Sequence, residues 1–210
     1  MNQKNGKNSL GLSSCFEDLD NPIDLFKKWF SKAKESEIND PDALALATAD
    51  TNNQPSVRIV LLKGLTNKGF VFYTNFNSKK GNDLRNNQKA SMCFHWKSLK
   101  RQVRISGEVE QVSDSEADEY YNSRPYKNSI GAWASNQSQI LDSREDLIKK
   151  FKEFEKKYPK EKKVPRPPHW SGWRVMPSEI EFWLESDGRI HERLNYKKLN
   201  GKWVKELLYP

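Results

Sequence analysis

The sequence predicts a mainly β chain with inserted helices, an α+β protein whose strands form one antiparallel sheet rolled into a barrel. Three observations carry this expectation. Short apolar and β-branched segments follow one another closely, separated by turn signals such as "DTNNQP", "TNKG" and "NG". "RQVRISGEVEQV" (101–112) alternates, with Val103, Ile105 and Val109 on one face and Gln102, Arg104, Ser106, Glu108 and Glu110 on the other. Helical patterns fall between strands without the regular strand–helix alternation that parallel sheets require.

In chain order, residues 1–19 are polar, rich in Asn, Ser and Gly, and expected to be a mobile arm; residues 20–210 are expected to form a single domain. "DNPIDLFKKWFSKAKES" reads as a helix capped by Asn21, with Pro22 in its first turn and Leu25, Phe26, Trp29, Phe30 and Ala33 as its apolar stripe. Strands follow at 43–50, 56–64, 70–75, 89–96 and 101–112. A short helix at 77–87 starts at Ser78. A second opens with Ser113 and Glu116 at capping-box spacing and ends at Pro125. "SREDLIKKFKEFEKKYP" (143–159) is amphipathic through Leu147, Ile148, Phe151 and Phe154. "GWRVMP", "EIEFWLES", "RIHERLNYKK" and "KWVKELLY" read as four further strands.

Composition excludes several classes. No apolar run reaches the roughly 18 residues of a membrane span, and the N-terminus lacks the apolar core of a secretory signal, so a cytoplasmic protein is expected. Cys15 and Cys93 make no disulfide framework, and His95, His169 and His191 have no metal-ligand spacing, so no metal is expected. Glycine-rich dinucleotide and P-loop fingerprints are absent. The net charge of +8 suggests either a nucleic-acid surface or pockets for anionic small molecules, part of it being a solvated lysine run at 149–168.

Candidate site residues gather at strand and helix ends. In "YTNFNSKK" (73–80) the Thr74 and Ser78 hydroxyls, the Lys79 and Lys80 ammoniums and a helix start converge as a phosphate site would require. "RIVLLK" (58–63) carries Arg58 and Lys63 at its ends, facing opposite sides if the strand is regular. "YYNSRP" places Tyr120 and Arg124 on one helix face. In "DGRIHER" (187–193), Arg189, His191 and Arg193 would share one face of an extended strand. Like charges there imply an anionic or electron-rich partner opposite.

The order "RIVLLKG…FYTN…SKK…RQVRISG…SRP…IGAWAS.QS…EFW…RIHER" closely resembles the pyridoxine/pyridoxamine 5′-phosphate oxidase family from about residue 22 to the C-terminus. The resemblance implies an FMN-binding split barrel, a homodimer with FMN at its interface, and oxidation of a phosphorylated B6 vitamer to pyridoxal 5′-phosphate with O2 reduced to H2O2. It implies cofactor contacts at Arg58, Ile59, Val60, Leu61, Leu62, Lys63, Tyr73, Thr74, Lys79, Lys80, Gln102, Gln137, Ser138, Trp183 and Arg193. It implies substrate contacts at Lys63, Tyr120, Arg124, Asn128 or Ser129, Arg189 and His191, with Arg189 and His191 as the catalytic pair. No nucleic acid or membrane partner is implied. Lys79 stands where relatives often carry Arg, which keeps the charge and loses the bidentate fork. The arm "NSLGLSSC" lacks the Arg-Arg-Glu-Tyr-like segment of some relatives, and the chain ends "LLYP" rather than Arg-Leu-x-Pro.

A hairpin register follows. A three-residue loop at 186–188 pairs Glu185 with Arg189, Trp183 with His191 and Glu181 with Arg193, whereas a two-residue loop would pair Leu184 with His191. The first is expected, because it matches opposite charges and brings Trp183 to the cationic face. Competing readings are a split-barrel flavin reductase on another substrate, a colourless basic nucleic-acid-binding barrel, and a catalytically inactive FMN or pyridoxal-phosphate binder.

Overall fold

The computed structural model describes residues 7–210. The first helix, α1 (Pro22–Ser36), starts where Asn21 accepts a hydrogen bond from the Ile23 N–H. Its Leu25, Phe26, Trp29 and Ala33 are buried, and Phe26 meets Phe70 and Phe94 edge-on at 4.8 and 5.1 Å.

Nine strands make one antiparallel sheet among the described residues: β1 (Ala43–Ala49), β2 (Pro55–Leu61), β3 (Gly64–Thr66), β4 (Gly69–Asn75), β5 (Lys89–Trp96), β6 (Arg101–Gln111), β7 (Trp170–Leu184), β8 (Glu192–Leu199) and β9 (Lys202–Leu207). The order is β2-β1-β5-β6-β7-β4-β3, with β8 also on β7 and β9 on β8. β7 pairs with β4 near its start, with β6 along most of its length and with β8 near its end. One strand with three neighbours forces the sheet to curl into the expected antiparallel split barrel. Its interior is filled by Phe70, Phe72, Phe94, Val103, Ile105, Val175, Ile180 and Phe182, and α1 closes it. The remaining helices are α2 (Lys79–Asn86), α3 (Asp114–Asn122), α4 (Tyr126–Ala134) and α5 (Arg144–Lys157). No helix of the described residues is long and apolar enough to cross a membrane.

Several expectations need correction. "GWRVMP" and "EIEFWLES" are one strand, β7, not two. Its proline is accommodated by a bulge: Pro177 pairs with Gly107 and Glu179 with Ser106, leaving Ser178 unpaired. Gly107 is required there, since a Cβ would lie 2.0 Å from the Met176 carbonyl oxygen. The strand expected over 56–64 stops at Leu61, and Lys63 lies between β2 and β3. Helix α4 was not expected at all, because Pro125 at its N-cap supplies no capping hydrogen bond.

The hairpin register is also corrected. Trp183 pairs with Arg193, Leu184 with Glu192 and Glu181 with Asn195, two residues from the expected alignment. The loop is longer because its backbone groups are used elsewhere. The Glu185 N–H donates to the Lys100 carbonyl, the Ser186 N–H donates to His191, and Asp187–Arg189 make a 3-10 turn with Gly188 and Arg189 in the left-handed region. Arg189 and His191 therefore precede the strand and do not alternate along it. A shift of two preserves facing, so the Arg193 guanidinium still reaches Glu181, at 2.8 Å, along a diagonal.

Of the expected arm, residues 1–6 lie outside the described residues. From Lys7 onward it is packed rather than loose. Leu12 and Phe16 are buried, the Trp29 indole N–H donates to the Cys15 carbonyl at 2.7 Å, and the Tyr196 hydroxyl donates to the Leu19 carbonyl at 2.8 Å. Sparse apolar residues in a polar segment are enough to anchor it when each finds a core pocket.

Candidate functional site

β2, the end of β4, the start of α2, and the segment from α3 through α4 enclose a cavity of about 940 Å³. That is at the upper end of ligand-pocket volumes. Six cations line it, Arg58, Lys63, Lys79, Lys80, Arg124 and Lys127, and no aspartate or glutamate does. Carboxylates just outside the lining answer three of them, Asp42 for Lys63, Asp50 and Asp83 for Lys79, and Asp83 for Arg58, whereas Lys80, Arg124 and Lys127 have no carboxylate partner among the described residues, a charge excess that an anion would relieve.

Lys80 shows the imbalance most clearly. Its ammonium is buried and donates to Gln137 Oε1 at 2.8 Å, Thr74 Oγ1 at 3.1 Å and Ser78 Oγ at 3.3 Å, all neutral acceptors. Burial, and then the nearby Arg58 charge, push its pKa from 10.5 down to about 8. Ser78 also caps α2 through the Gly81 N–H, as its sequence position suggests. Arg58 is held by Thr48 Oγ1 and Ser56 Oγ, each at 2.7 Å, and by two backbone carbonyls. Asp83, buried behind the cavity wall, accepts from the Thr48 hydroxyl at 2.7 Å and stands 3.8 Å from Arg58 and 3.3 Å from Lys79. Burial lowers the Arg58 pKa despite that carboxylate. Lys63 donates to Asp42 at 2.7 Å. Because β2 ends at Leu61, Arg58 and Lys63 line the same cavity instead of facing opposite ways.

At the other end, Tyr73 and Tyr120 stack at 4.0 Å and 15°. Burial, and then Glu116, raise the Tyr73 pKa to about 12. Arg124 lies just beyond α3 rather than within it. Its Nη1 is buried with no hydrogen-bond partner among the described residues, and burial lowers its pKa.

Of the residues singled out in the sequence, Arg58, Ile59, Val60, Leu61, Lys63, Tyr73, Thr74, Lys79, Lys80, Tyr120, Arg124, Asn128, Gln137 and Ser138 line this cavity. Leu62 is instead buried in the core, and Ser129 is buried in α4, its carbonyl accepting from the Tyr121 hydroxyl at 2.9 Å. Asn128 is thus the member of the Asn128/Ser129 pair that faces the cavity. Lys127 and Trp170 also line it and were missed. Lys127 rides on the unanticipated helix α4, and Trp170, in "PPHW", has no periodicity to mark it.

Gln102, Trp183, Arg189, His191 and Arg193 are not among the lining residues. Gln102, Trp183, His191 and Arg193 gather as a second cluster around the end of β7, with Arg189 exposed in the adjoining 3-10 turn. Gln102 pairs with Trp183, Trp183 with Arg193, and the His191 ring sits 4.7 Å from the Trp183 ring. Glu181 accepts from Arg193 at 2.8 Å and Arg104 at 3.0 Å. The His191 Nδ1 accepts the Ser186 N–H at 3.2 Å, which puts the proton of the neutral ring on Nε2.

Fold and cavity together define a split-barrel protein with an acid-free cationic cleft. Within that class, the chain belongs to the pyridoxamine 5′-phosphate oxidase family, whose profile matches residues 30–183. Residues 170–210 match the pyridoxine 5′-phosphate oxidase C-terminal dimerisation region. The chain is 60% identical over 207 residues to a pyridoxine/pyridoxamine 5′-phosphate oxidase of Pelagibacter ubique, covering 98% of this chain and 100% of that one. It is 52% identical over 200 residues to the Agrobacterium fabrum protein of the same name, covering 94% and 97%. Among solved structures, PhzG from Burkholderia lata, in complex with tetrahydrophenazine-1-carboxylic acid, superposes with a TM-score of 0.89 at 31% identity, over 98% of this chain and 100% of that one. A pyridoxamine 5′-phosphate oxidase-related, FMN-binding protein from Nostoc punctiforme shares the fold, with a TM-score of 0.70 at 15% identity, over 88% and 97%.

Proposed function

We propose that this protein oxidises pyridoxine 5′-phosphate, or pyridoxamine 5′-phosphate with water taken up and ammonia released, to pyridoxal 5′-phosphate with bound FMN, reducing O2 to H2O2. The observation that carries the reading is the cavity itself, with six cations, no carboxylate, a buried Lys80 among neutral acceptors and an Arg124 with an unused buried donor. That arrangement suits two phosphate groups, one at each end.

FMN fits the end formed by β4 and α2. Arg58, Lys79, Lys80 and the Thr74 hydroxyl would hold its phosphate and ribityl chain, with Ile59, Val60, Leu61, Tyr73, Gln137 and Ser138 along the wall. When bound, FMN would supply the acceptor for a hydride from the substrate carbon. Tyr120, Arg124, Asn128 and Lys63 would grip the substrate phosphate by charge-assisted hydrogen bonds. Arg189 and His191 would orient the substrate ring. With Nδ1 accepting the Ser186 N–H, the neutral ring would present its Nε2–H as a hydrogen-bond donor to the substrate.

The second cluster acts in this reading across a homodimer, where Gln102, Trp183, Arg189, His191 and Arg193 of each protomer complete the cavity of the other. The match to a dimerisation region supports it. So does the bare apolar face of β2 at the cavity rim, where Val57 and Ile59 are each 66% exposed. The unpaired thiols of Cys15 and Cys93 suit a reducing, cytoplasmic setting.

Purification followed by an absorption spectrum and a peroxide assay with pyridoxine 5′-phosphate tests the reading. A yellow protein that forms peroxide and pyridoxal 5′-phosphate supports it. A flavin-loaded protein without this turnover would turn the assignment toward a reductase or an inactive binder, and a colourless one that takes up no FMN would defeat it.

A further inference from the structure

We propose that Trp170 is a positioning residue for the substrate-phosphate end of the cavity, its indole holding the Arg124 guanidinium in the plane and direction that meet the phosphate. The inference rests on the functional reading above. An arginine normally enters a protein interior with a carboxylate or carbonyl to receive its donors. Arg124 has aromatic rings instead. Its Cζ lies 4.6 Å over the Trp170 ring and 5.5 Å over the Tyr121 ring, while its Nη1 is buried without a hydrogen-bond partner among the described residues. A guanidinium stacked on an indole keeps its in-plane donors free for an incoming anion, and the stack limits rotation of the group.

The indole is itself held firmly. Trp170 is 6% exposed. Its ring lies nearly parallel to Tyr73 (5.3 Å, 7°) and Tyr120 (6.1 Å, 8°) and meets Tyr121 edge-on at 5.1 Å. Its backbone pairs with Asn75 of β4, and its carbonyl accepts from Arg166 at 2.9 Å. Arg166 in turn pairs with Asp114 and Asp118 of α3, at 2.7 and 2.5 Å. Trp170 therefore ties the sheet, the helix bearing Tyr120 and the free guanidinium into one rigid unit. A phosphate arriving there would find Arg124 already oriented, and little side-chain freedom would be lost on binding.

The test uses FMN-loaded protein, wild type and the variants Trp170→Leu and Trp170→Phe. Turnover gives KM and kcat for pyridoxine 5′-phosphate, and calorimetry gives Kd for pyridoxal 5′-phosphate and, separately, for pyridoxal. Loss of the stack in Trp170→Leu is expected to raise KM and the pyridoxal 5′-phosphate Kd about tenfold, with kcat within about twofold and the pyridoxal Kd unchanged. Trp170→Phe keeps an aromatic face and is expected to recover most of the affinity. Unchanged affinity in Trp170→Leu, an equal loss for pyridoxal, or no rescue by Phe overturns the inference. If Trp170→Leu does not fold, Trp170→Met, which also removes the aromatic face, is compared alone and combined with Arg124→Lys. Coupled effects on pyridoxal 5′-phosphate affinity support action through Arg124, and additive ones overturn it. A wild-type protein that binds no pyridoxal 5′-phosphate overturns the functional reading and this inference together. An active wild type whose affinity survives Trp170→Leu overturns this inference alone.

Discussion

Replacing Lys80 with methionine should weaken FMN binding greatly without making the ligand-free protein more stable. Burial holds the Lys80 pKa at about 8 against an ordinary 10.5. At pH 7 that gap corresponds to a folding penalty of about 3 kcal/mol. The sign follows from proton counts. Below pH 8 both folded and unfolded chains carry the proton, and the penalty is complete. Between pH 8 and 10.5 only the unfolded chain does, so stability rises with pH. Methionine fills nearly the same volume without charge, but gives up three hydrogen bonds to Gln137, Thr74 and Ser78. Each such bond from a charged donor contributes about 1.5–3 kcal/mol, so their loss offsets the relief of the charge penalty and no net gain in stability is expected. Binding has no such offset, because a charge-assisted hydrogen bond to phosphate contributes about 1.5–3 kcal/mol, and losing it weakens FMN binding about 10- to 100-fold. Thermal melts of the FMN-free proteins and fluorescence titration with FMN read both quantities. A variant that binds FMN as tightly as wild type refutes the assignment of Lys80, and one that is markedly more stable refutes the weight given to its three hydrogen bonds.

Two further expectations follow from the same cavity. FMN affinity should fall as pH rises above about 8, by up to about tenfold per unit as the free-state Lys80 loses its proton; riboflavin, which has no phosphate, should show no such slope, and a flat FMN profile would contradict the coupling. Lys127→Gln should raise KM for pyridoxine 5′-phosphate about two- to fivefold at low ionic strength and leave kcat unchanged, with the difference fading in high salt because the side chain is exposed. Steady-state kinetics at two salt concentrations would show whether the lysine acts at a distance or not at all.

What could be read from the chain depended on how local each signal was. Helix α1 was legible because Asn21, Pro22 and the Leu25–Ala33 stripe all act within a few residues. β6 was legible because one of its faces is buried and the other is not. The cationic cleft was legible as a set of residue types, since Lys79 and Lys80 lie beside the Ser78 cap in sequence as in space. Distances beyond one element were not. The neutral partners that leave Lys80 uncompensated come partly from Gln137, far along the chain, and the platform under Arg124 comes from β7. The hairpin register failed because side-chain pairing was used to place a loop whose length is set by backbone donors, those of Glu185 and Ser186. Helix α4 failed for want of a capping side chain, and it took Lys127 with it.

The unpaired Ser178 has a consequence of phase. Before it, β7 sends odd-numbered residues, Trp173 and Val175, into the core; after it, even-numbered ones, Ile180 and Phe182, take their place. In an uninterrupted strand, inside and outside keep one parity from end to end. The inserted residue inverts that parity once, so the first half of the strand can fill the barrel while the second half turns Glu181 and Trp183 outward beside Arg193. Were Ser178 instead taken into the ladder opposite Ser106, everything downstream would slip by one residue and swap faces, sending Trp183 toward the core and Phe182 toward solvent. A slip of one residue would thus dismantle the outer cluster without altering a single residue in it.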